Sequence, residues 1–250
     1  MSMVRNRMLP PALRHGDALG ASLTGEHARC VALSRQCRGK FCADAEGRPA
    51  RHLAAGEFVY LMGEAARSVY LVRHGLIKTA AVSPGGEELT LRIHPPGDVF
   101  GELCLCSGER REQAVALEAS EVVTITIEML LARLRQDPLA ALDLTSIACE
   151  HLAEAHDRLR SLSVDPALHR LARTLIGLAA DFGEPAPDGM LVLRYITQQE
   201  LAHLVGARRE VVSGLLNRLR DRGLIRYLRR GPISIEGKAL RAFVESGEHR

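Results

Sequence analysis

Hydrophobic periodicity changes once along this chain, at Asp137-Pro138, and that change limits the folds open to it. Upstream, from about Arg51 to Glu128, short apolar runs alternate with glycine and proline. The runs are Phe58 to Leu61, Val69 to Val72, Ile77 to Val82, Leu89 to Ile93 and Val122 to Ile127, divided by Gly56, Gly63, Gly75, Pro84-Gly85-Gly86, Pro95-Pro96-Gly97 and Gly108. Evenly spaced short strands with Gly-rich turns predict an antiparallel sandwich or barrel. Downstream, Ala141, Thr145, Ala148, Leu152, Ala155, Leu159 and Leu162 step by four and three, the spacing of a coiled-coil seam. Asp137 is its N-cap, with Pro138 at the first helical position, and Asp165-Pro166 closes it because the residue before a proline is pushed out of helical space. Glu150, Glu154, His156 and Arg158 lie off the seam. The pattern predicts a dimerisation helix with Ala148, Leu152, Ala155 and Leu159 at its interface; an amphipathic helix packed on its own domain has the same stripe.

Past Pro166 the chain reads as mostly helical. Ala167 to Asp181 is a first helix, and Asp188-Gly189 is a hairpin turn between short strands. Thr197-Gln198-Gln199-Glu200 is a capping box, in which hydroxyl and carboxylate satisfy orphan amides at a helix start. The helix that follows runs into Gly206, and a second helix, from about Arg208 to Arg222, ends at Gly223. Helix, short glycine-containing turn and basic second helix make a helix-turn-helix. Leu224 to Ile235 reads as a two-stranded wing with Arg229 and Arg230 at its tip.

Charge distribution supports the same reading. The 250 residues carry a net charge of +3, but from Val164 onward 14 Lys+Arg face 10 Asp+Glu, and between Gly206 and Arg230 there are eight arginines and two acids. Such density is the footprint of a binder of phosphate backbones, although a solvated helix face can also carry a charge run. Near the start of the second helix, Arg208, Arg209, Glu210 and Ser213 are placed to face a major groove. Arg209 can bond a guanine edge bidentately and Glu210 can accept from a cytosine amine. Arg208, Arg218, Arg229 and Arg230 are assigned to phosphates. No apolar run reaches the ~18–20 residues of a bilayer span, and the first residues lack the apolar core of a signal peptide, so no membrane partner and a cytoplasmic address are expected.

The order of parts, and particular residues, resemble the Crp/Fnr family of bacterial transcription regulators. The resemblance runs from about His52 to Phe243 and rests on Ala55-Gly56-Glu57, Leu71 to Lys78, Pro96-Gly97-Asp98-Val99-Phe100-Gly101-Glu102-Leu103, and Gly206 to Ser213. It implies an α+β architecture: a cyclic-nucleotide-binding-type β jelly roll, a long dimerisation helix and a C-terminal winged helix-turn-helix. The expected division is a mobile segment over 1–29, a sensor roll over 30–136, the dimer helix over 137–164 and the DNA-binding domain over 165–250. Homodimers on two-fold sites in double-stranded DNA, and control of promoters, activation included, through RNA polymerase are implied too. Arg209 and Glu210 stand where the family's base-reading Arg and Glu stand, and Ser213 matches the serine of the Fnr branch. Gly214 replaces the arginine usual one place later, so the operator sequence is not carried over.

The effector departs from the family pattern. Cyclic AMP receptors hold ribose and phosphate with a segment that begins Gly-Glu-Leu and ends Arg-Ser-Ala. Gly101, Glu102 and Leu103 match its start, but the same interval forward reaches Glu112-Gln113-Ala114. A carboxylate where the phosphate's cation belongs is electrostatically wrong, which disfavours cyclic AMP; Arg110 and Arg111 stand nearby. A second reading uses thiols. Cys30, Cys37 and Cys42 precede the roll beside Arg35, Arg38 and Lys40, with a spacing unlike the Fnr branch, and Cys104 or Cys106 could complete a site for an iron–sulfur cluster or zinc. Buried core thiols explain Cys104, Cys106 and Cys149 as well. His74 and His94 read as lone structural histidines, so haem is disfavoured. None of the G-x-S-x-G, Walker A, H-E-x-x-H or Rossmann glycine patterns is present, so an enzyme is not expected; a nucleotide-binding module for some non-DNA partner is opposed by the winged helix-turn-helix.

Overall fold

In a computed structural model the structure describes residues 47–227 and 231–246. Among these, eight short strands come first: β1 (Ala50–Leu53), β2 (Phe58–Tyr60), β3 (Ser68–His74), β4 (Ile77–Val82), β5 (Glu88–His94), β6 (Val99–Phe100), β7 (Gln113–Ala116) and β8 (Ser120–Thr126). They form two antiparallel sheets of four, ordered β1-β8-β3-β6 and β2-β7-β4-β5. Leu53, Val72, Phe100 and Val122 of the first sheet share one buried cluster with Val59, Ile77, Ala114 and Ala116 of the second, so the sheets close face to face as a β-roll. The turn between β3 and β4 depends on Gly75, whose φ is 80° and where a Cβ would fall 2.2 Å from Ser120 Oγ.

The strand read from sequence as running through Ile127 ends at Thr126. There the Thr126 hydroxyl accepts from Met129 N at 3.3 Å and caps α1 (Ile127–Gln136), a helix the sequence reading omits. Asp137 then caps α2 (Pro138–Val164), accepting from Leu139 N at 3.0 Å, as the Asp-Pro signal predicts. At 27 residues α2 is ~40 Å long. Its Ala140, Asp143 and Ile147 are buried, Ile147 in one cluster with Val69, Leu71 and Val123 of the roll, whereas Thr145, Ala148, Leu152, Ala155, Leu159 and Leu162 are exposed.

The C-terminal part comprises α3 (Ala167–Phe182), β9 (Glu184–Pro185), β10 (Leu191–Leu193), α4 (Gln198–Val205), α5 (Arg209–Asp221), β11 (Ile225–Tyr227), β12 (Ile233–Ile235) and α6 (Gly237–Ser246). A sheet ordered β11-β12-β10-β9 backs the helices. The last helix, α6, is a second element the sequence reading did not identify. Leu171, Leu175, Leu201, Val212, Leu216 and Leu240 join a core that also takes in Leu76 and Ile93 of the roll. The DNA-binding part is therefore seated on β5, and a polar seam borders the contact: Lys78 Nζ lies 2.6 Å from Glu88 Oε1 and 3.7 Å from Glu200 Oε1, and His203 Nδ1 lies 3.0 Å from Glu88 Oε1. Among the described residues no helix is long and apolar enough to cross a membrane.

Two glycines test this backbone in opposite directions. Gly75→Ala should destabilise the protein by about 2 kcal/mol or more, because a left-handed φ and a collision act together. Gly177→Ala, inside α3 with nothing within 4 Å of the added methyl, should stabilise by ~0.5–1 kcal/mol. Urea unfolding of both variants checks the pair.

Candidate nucleic-acid interface and sensor interior

The helix-turn-helix forms from local signals. Glu200 N donates to Thr197 Oγ1 at 3.1 Å and Thr197 N to Glu200 Oε2 at 3.3 Å, closing the capping box of α4. Gly206, at φ 66°, ends that helix in the left-handed region, and Arg208 becomes the N-cap of α5. Val212, Leu215, Leu216 and Leu219 are buried on one side of α5, which leaves Arg208, Arg209, Glu210 and Arg218 toward solvent, with Ser213 half-buried. The structure thus brings five of the seven predicted DNA-contact residues to one recognition helix. Arg229 and Arg230 lie outside the described residues. Among the described residues no side chain caps the α5 N-terminus, so its first amides and positive dipole end are open to a phosphate. Tyr227 Oη donates to Asn217 Oδ1 at 2.8 Å, and the Arg220 guanidinium sits 5.3 Å from the Tyr227 ring, tying the wing to α5.

Of the residues proposed for an effector pocket, Gly101, Glu102 and Glu112 gather about Tyr60, whereas Leu103 and Gln113 turn elsewhere. Gly101, at φ 79°, and Glu112 border the roll interior, which is filled by Tyr60, Tyr70 and Phe100 stacked at 5.3–6.2 Å. Arg110 enters that interior: its guanidinium lies 4.0 Å above the Tyr60 ring and donates to Gly101 O at 2.9 Å and Ser68 O at 2.6 Å. Glu112 Oε1 accepts from Tyr60 Oη at 3.1 Å, and burial pushes its carboxyl above the ordinary value. Gln113 instead donates from Nε2 to Glu88 Oε2 at 3.1 Å, toward the α4 seam. Leu103 is exposed, and Glu102 accepts from His151 Nδ1 of α2 at 2.8 Å. Sequence reasoning placed Glu112 in the roll but missed that Arg110, two residues earlier in the loop before β7, is also buried.

Of the five cysteines named for metal, Cys30, Cys37 and Cys42 lie outside the described residues. Cys104 is packed with Val69, Leu71, Val99 and Val123, and burial raises its thiol pKa, which opposes the thiolate a metal needs. Cys106 is exposed. Among the described residues the grouping with ligand spacing is a different one, His94, Asp98 and His151. His94 Nδ1 stands 2.8 Å from Asp98 Oδ2, and His94 Nε2 stands 3.0 Å from Thr79 Oγ1. Burial alone would raise Asp98, but His151, His94 and Arg92 hold its carboxyl well below the usual range. Burial lowers His94, whereas Asp98 and Glu102 outweigh burial at His151 and push it up to about 9. The only local signal was the His-x-x-x-Asp spacing across the β5–β6 turn; His151 joins from a distant helix.

A β-roll, a long helix with an open apolar stripe, and a winged helix-turn-helix whose recognition helix presents arginines define a DNA-binding transcription regulator. Residues 50–137 match the cyclic nucleotide-binding domain family and residues 169–243 the Crp-like helix-turn-helix domain family. The chain is 35% identical to the Cyclic AMP receptor protein of Thermus thermophilus over 182 residues, 72% of this chain and 80% of that one. It is 32% identical to the Anaerobic regulatory protein of Bacillus subtilis over 177 residues, 70% of this chain and 74% of that one. Among solved structures, a Crp/Fnr-family transcriptional regulator from Thermus thermophilus superposes with a TM-score of 0.68 at 30% identity, covering 80% of this chain and all 100% of that one. FixK2 from Bradyrhizobium japonicum shares the fold, with a TM-score of 0.69 at 24% identity over 78% of this chain and 96% of its own. The chain belongs to the Crp/Fnr family of transcription regulators.

The buried Glu112 carboxyl generates a prediction. A carboxyl whose folded pKa is raised contributes stability at pH values below its unfolded value, 4.5, and loses it as pH climbs through the folded value. Glu112→Gln keeps the acceptor for Tyr60 and removes the ionisation. Its melting temperature should equal or exceed the parent's at pH 8 and lose that advantage at pH 4; an advantage independent of pH would contradict the assignment.

Proposed function

We propose that the protein is a homodimeric regulator that reads two-fold promoter sites in double-stranded DNA, with Arg209 and Glu210 on base edges and Arg208, Arg218, Arg229 and Arg230 on phosphates. The observation that carries this reading is the exposed basic face of α5, presented by a helix whose opposite face is buried in the domain core. Ser213, half-buried on the same helix, borders the reading face. The stripe from Thr145 to Leu162 supports dimerisation: Leu152 is 55% and Leu159 62% exposed on a single chain, an apolar seam that a symmetry mate would cover. Action at promoters brings RNA polymerase as a partner, in the cytoplasm, with no catalytic step of the protein's own.

The effector reading is that cyclic AMP is disfavoured as the ligand of the roll. The position opposite a cyclic phosphate holds Glu112, and the neighbouring cation, Arg110, is already committed to two carbonyls and the Tyr60 face. A metal-responsive regulator is the alternative that the buried histidine cluster favours.

Arg209→Ala should weaken binding to the cognate site by ~1–3 kcal/mol and relax its specificity, whereas Arg218→Ala should weaken specific and random DNA alike. Equal losses on both DNAs for Arg209→Ala would remove its base-reading role. Replacing Leu152 and Leu159 together with lysine sets like charges across the two-fold, so the double variant should sediment as a monomer and lose operator binding with it. A dimer that persists puts the interface elsewhere.

A further inference from the structure

Where β5, the β5–β6 turn and α2 meet, His94, Asp98 and His151 converge in a way that neither DNA reading nor dimerisation uses. One nitrogen of each histidine and one Asp98 oxygen all lie within 4.8 Å of one another. His94 and Asp98 are 3% and 6% exposed. We propose that this cluster is a binding site for a divalent first-row transition ion, zinc foremost, held by His94 Nδ1, the Asp98 carboxylate and His151 Nε2.

The orphaned atom is the first argument. His151 Nε2 is buried and has no hydrogen-bond partner among the described residues; its nearest oxygen, Asp98 Oδ1, is 3.6 Å away, too far for one. A buried polar nitrogen left without a hydrogen bond is costly, and one that faces a carboxylate and a second imidazole has the surroundings of a ligand. The outer contacts are the second argument. Glu102 accepts from His151 Nδ1 at 2.8 Å, which orients the ring so that Nε2 is the nitrogen an ion would take in exchange for its proton. Thr79 Oγ1, 3.0 Å from His94 Nε2, can accept that nitrogen's proton and free Nδ1 in the same way. Metal-bound histidines ordinarily have their second nitrogen tied in this manner, to a carboxylate or another oxygen.

Charge and reach agree. Among the described residues, Asp98, Glu102 and Glu154 place three carboxylates around the cluster against the guanidinium of Arg92, which pairs with Asp98 Oδ2 at 3.2 Å and with Glu154. With both histidines neutral, as ligands must be, these groups leave two negative charges, which suits a dication. Ligands ~2.0–2.1 Å from a tetrahedral metal stand about 3.3–3.4 Å from one another, so groups already within 4.8 Å of one another close by roughly an ångström to hold an ion. Two imidazoles and a carboxylate select zinc, iron(II), cobalt or nickel over magnesium or calcium, and three protein ligands leave a position for water. His151 is 14% and Glu102 18% exposed, which gives an ion a way in. Without an ion the same groups form a buried ion-pair network, in which Nε2 faces Asp98 Oδ1 at 3.6 Å without a hydrogen bond.

The site joins the roll, through His94 and Asp98, to the long helix, through His151, within a few residues of the β5 surface on which α4 rests. An occupied site would stiffen that junction and alter DNA affinity. This last consequence depends on the regulator reading above; the metal site itself does not.

The test uses the full-length protein, stripped with a chelator and titrated with Zn(II) by calorimetry and with Co(II) by visible absorption. The expected result is one ion per chain, at least 100-fold weaker binding in Asp98→Asn and His151→Gln, and 10–100-fold weaker binding in Glu102→Gln, which keeps all three ligands. A variant with Cys30, Cys37, Cys42, Cys104 and Cys106 all changed to Ser should keep the ion. Absence of Zn(II) and Co(II) binding by the parent, affinity unchanged in His151→Gln, or loss of the ion in the cysteine variant overturns the proposal. If circular dichroism shows His151→Gln and Asp98→Asn to be misfolded, Glu102→Gln decides, since unchanged affinity there is equally fatal. Operator affinity is measured in parallel: a chain that binds DNA without metal defeats the site alone, and one that binds metal without DNA defeats the regulator reading alone.

Discussion

One guanidinium connects the three parts of the molecule. Arg158, on the long helix α2, donates to Thr90 O and, at 2.9 Å, to Leu91 O of β5, and to His203 O at 3.1 Å and Leu204 O at 2.8 Å in the last turn of α4. The carbonyls at a helix C-terminus have no partner within the helix and carry its negative dipole end, so a cation is the group that satisfies them best. Arginine suits the position because its planar fork offers five donors in fixed directions, which lysine cannot reproduce. The roll edge, the long helix and the first helix of the helix-turn-helix are held by the same side chain.

The helix that carries Arg158 has two working faces, and their spacing explains both. Thr145, Ala148, Leu152, Ala155, Leu159 and Leu162 follow the four-three repeat and stand open. His151, Glu154 and Arg158 follow the same helical period on another side and all turn to the roll: His151 to Glu102 and Asp98, Glu154 to Arg92, Arg158 to β5. Residues three and four apart on a helix share a face. A heptad stripe of apolar residues is visible in a sequence because its period is the signal. The polar face is read as solvated unless the partner strand is known, which is why Glu154 and Arg158 looked like ordinary off-seam charges.

The same distinction governs what else could be read from the chain. Elements marked by local chemistry were legible: the Asp137-Pro138 start of α2, the Thr197–Glu200 capping box, the Gly206 stop and the Asp188-Gly189 hairpin each act within a few residues. Helix α1 was not, because its cap is Thr126, a β-branched residue that also ends a strand-like run, and the hydrophobic period changes without a glycine or proline to mark it. The site fared likewise. The exposed face of α5 follows from helical spacing alone, whereas the His94–Asp98–His151 cluster is assembled by the turn after β5 meeting a helix far along the chain. Arg110 illustrates the limit in the opposite sense: the sequence marks it, with Arg111, only as a cation near Glu112, yet the stack of Tyr60 and Tyr70 and two backbone carbonyls desolvate and hold it.

These contacts also set the scale of any coupling between roll and reader. Bonds from a charged donor contribute ~1.5–3 kcal/mol each, so a rearrangement that lifts α4 from β5 forfeits two of Arg158's four and costs about 3–6 kcal/mol from that residue. Turning a two-state equilibrium from 1:99 to 99:1 takes ~5.5 kcal/mol. The Lys78–Glu88–His203 seam adds to the same side of the balance, as does the apolar contact through Leu76 and Ile93. A ligand bound at the proposed site between β5 and α2 would therefore act on an interface whose strength is of the order that switching requires: weak enough for one ligand's differential affinity to reverse, and strong enough to hold one arrangement when the ligand is gone.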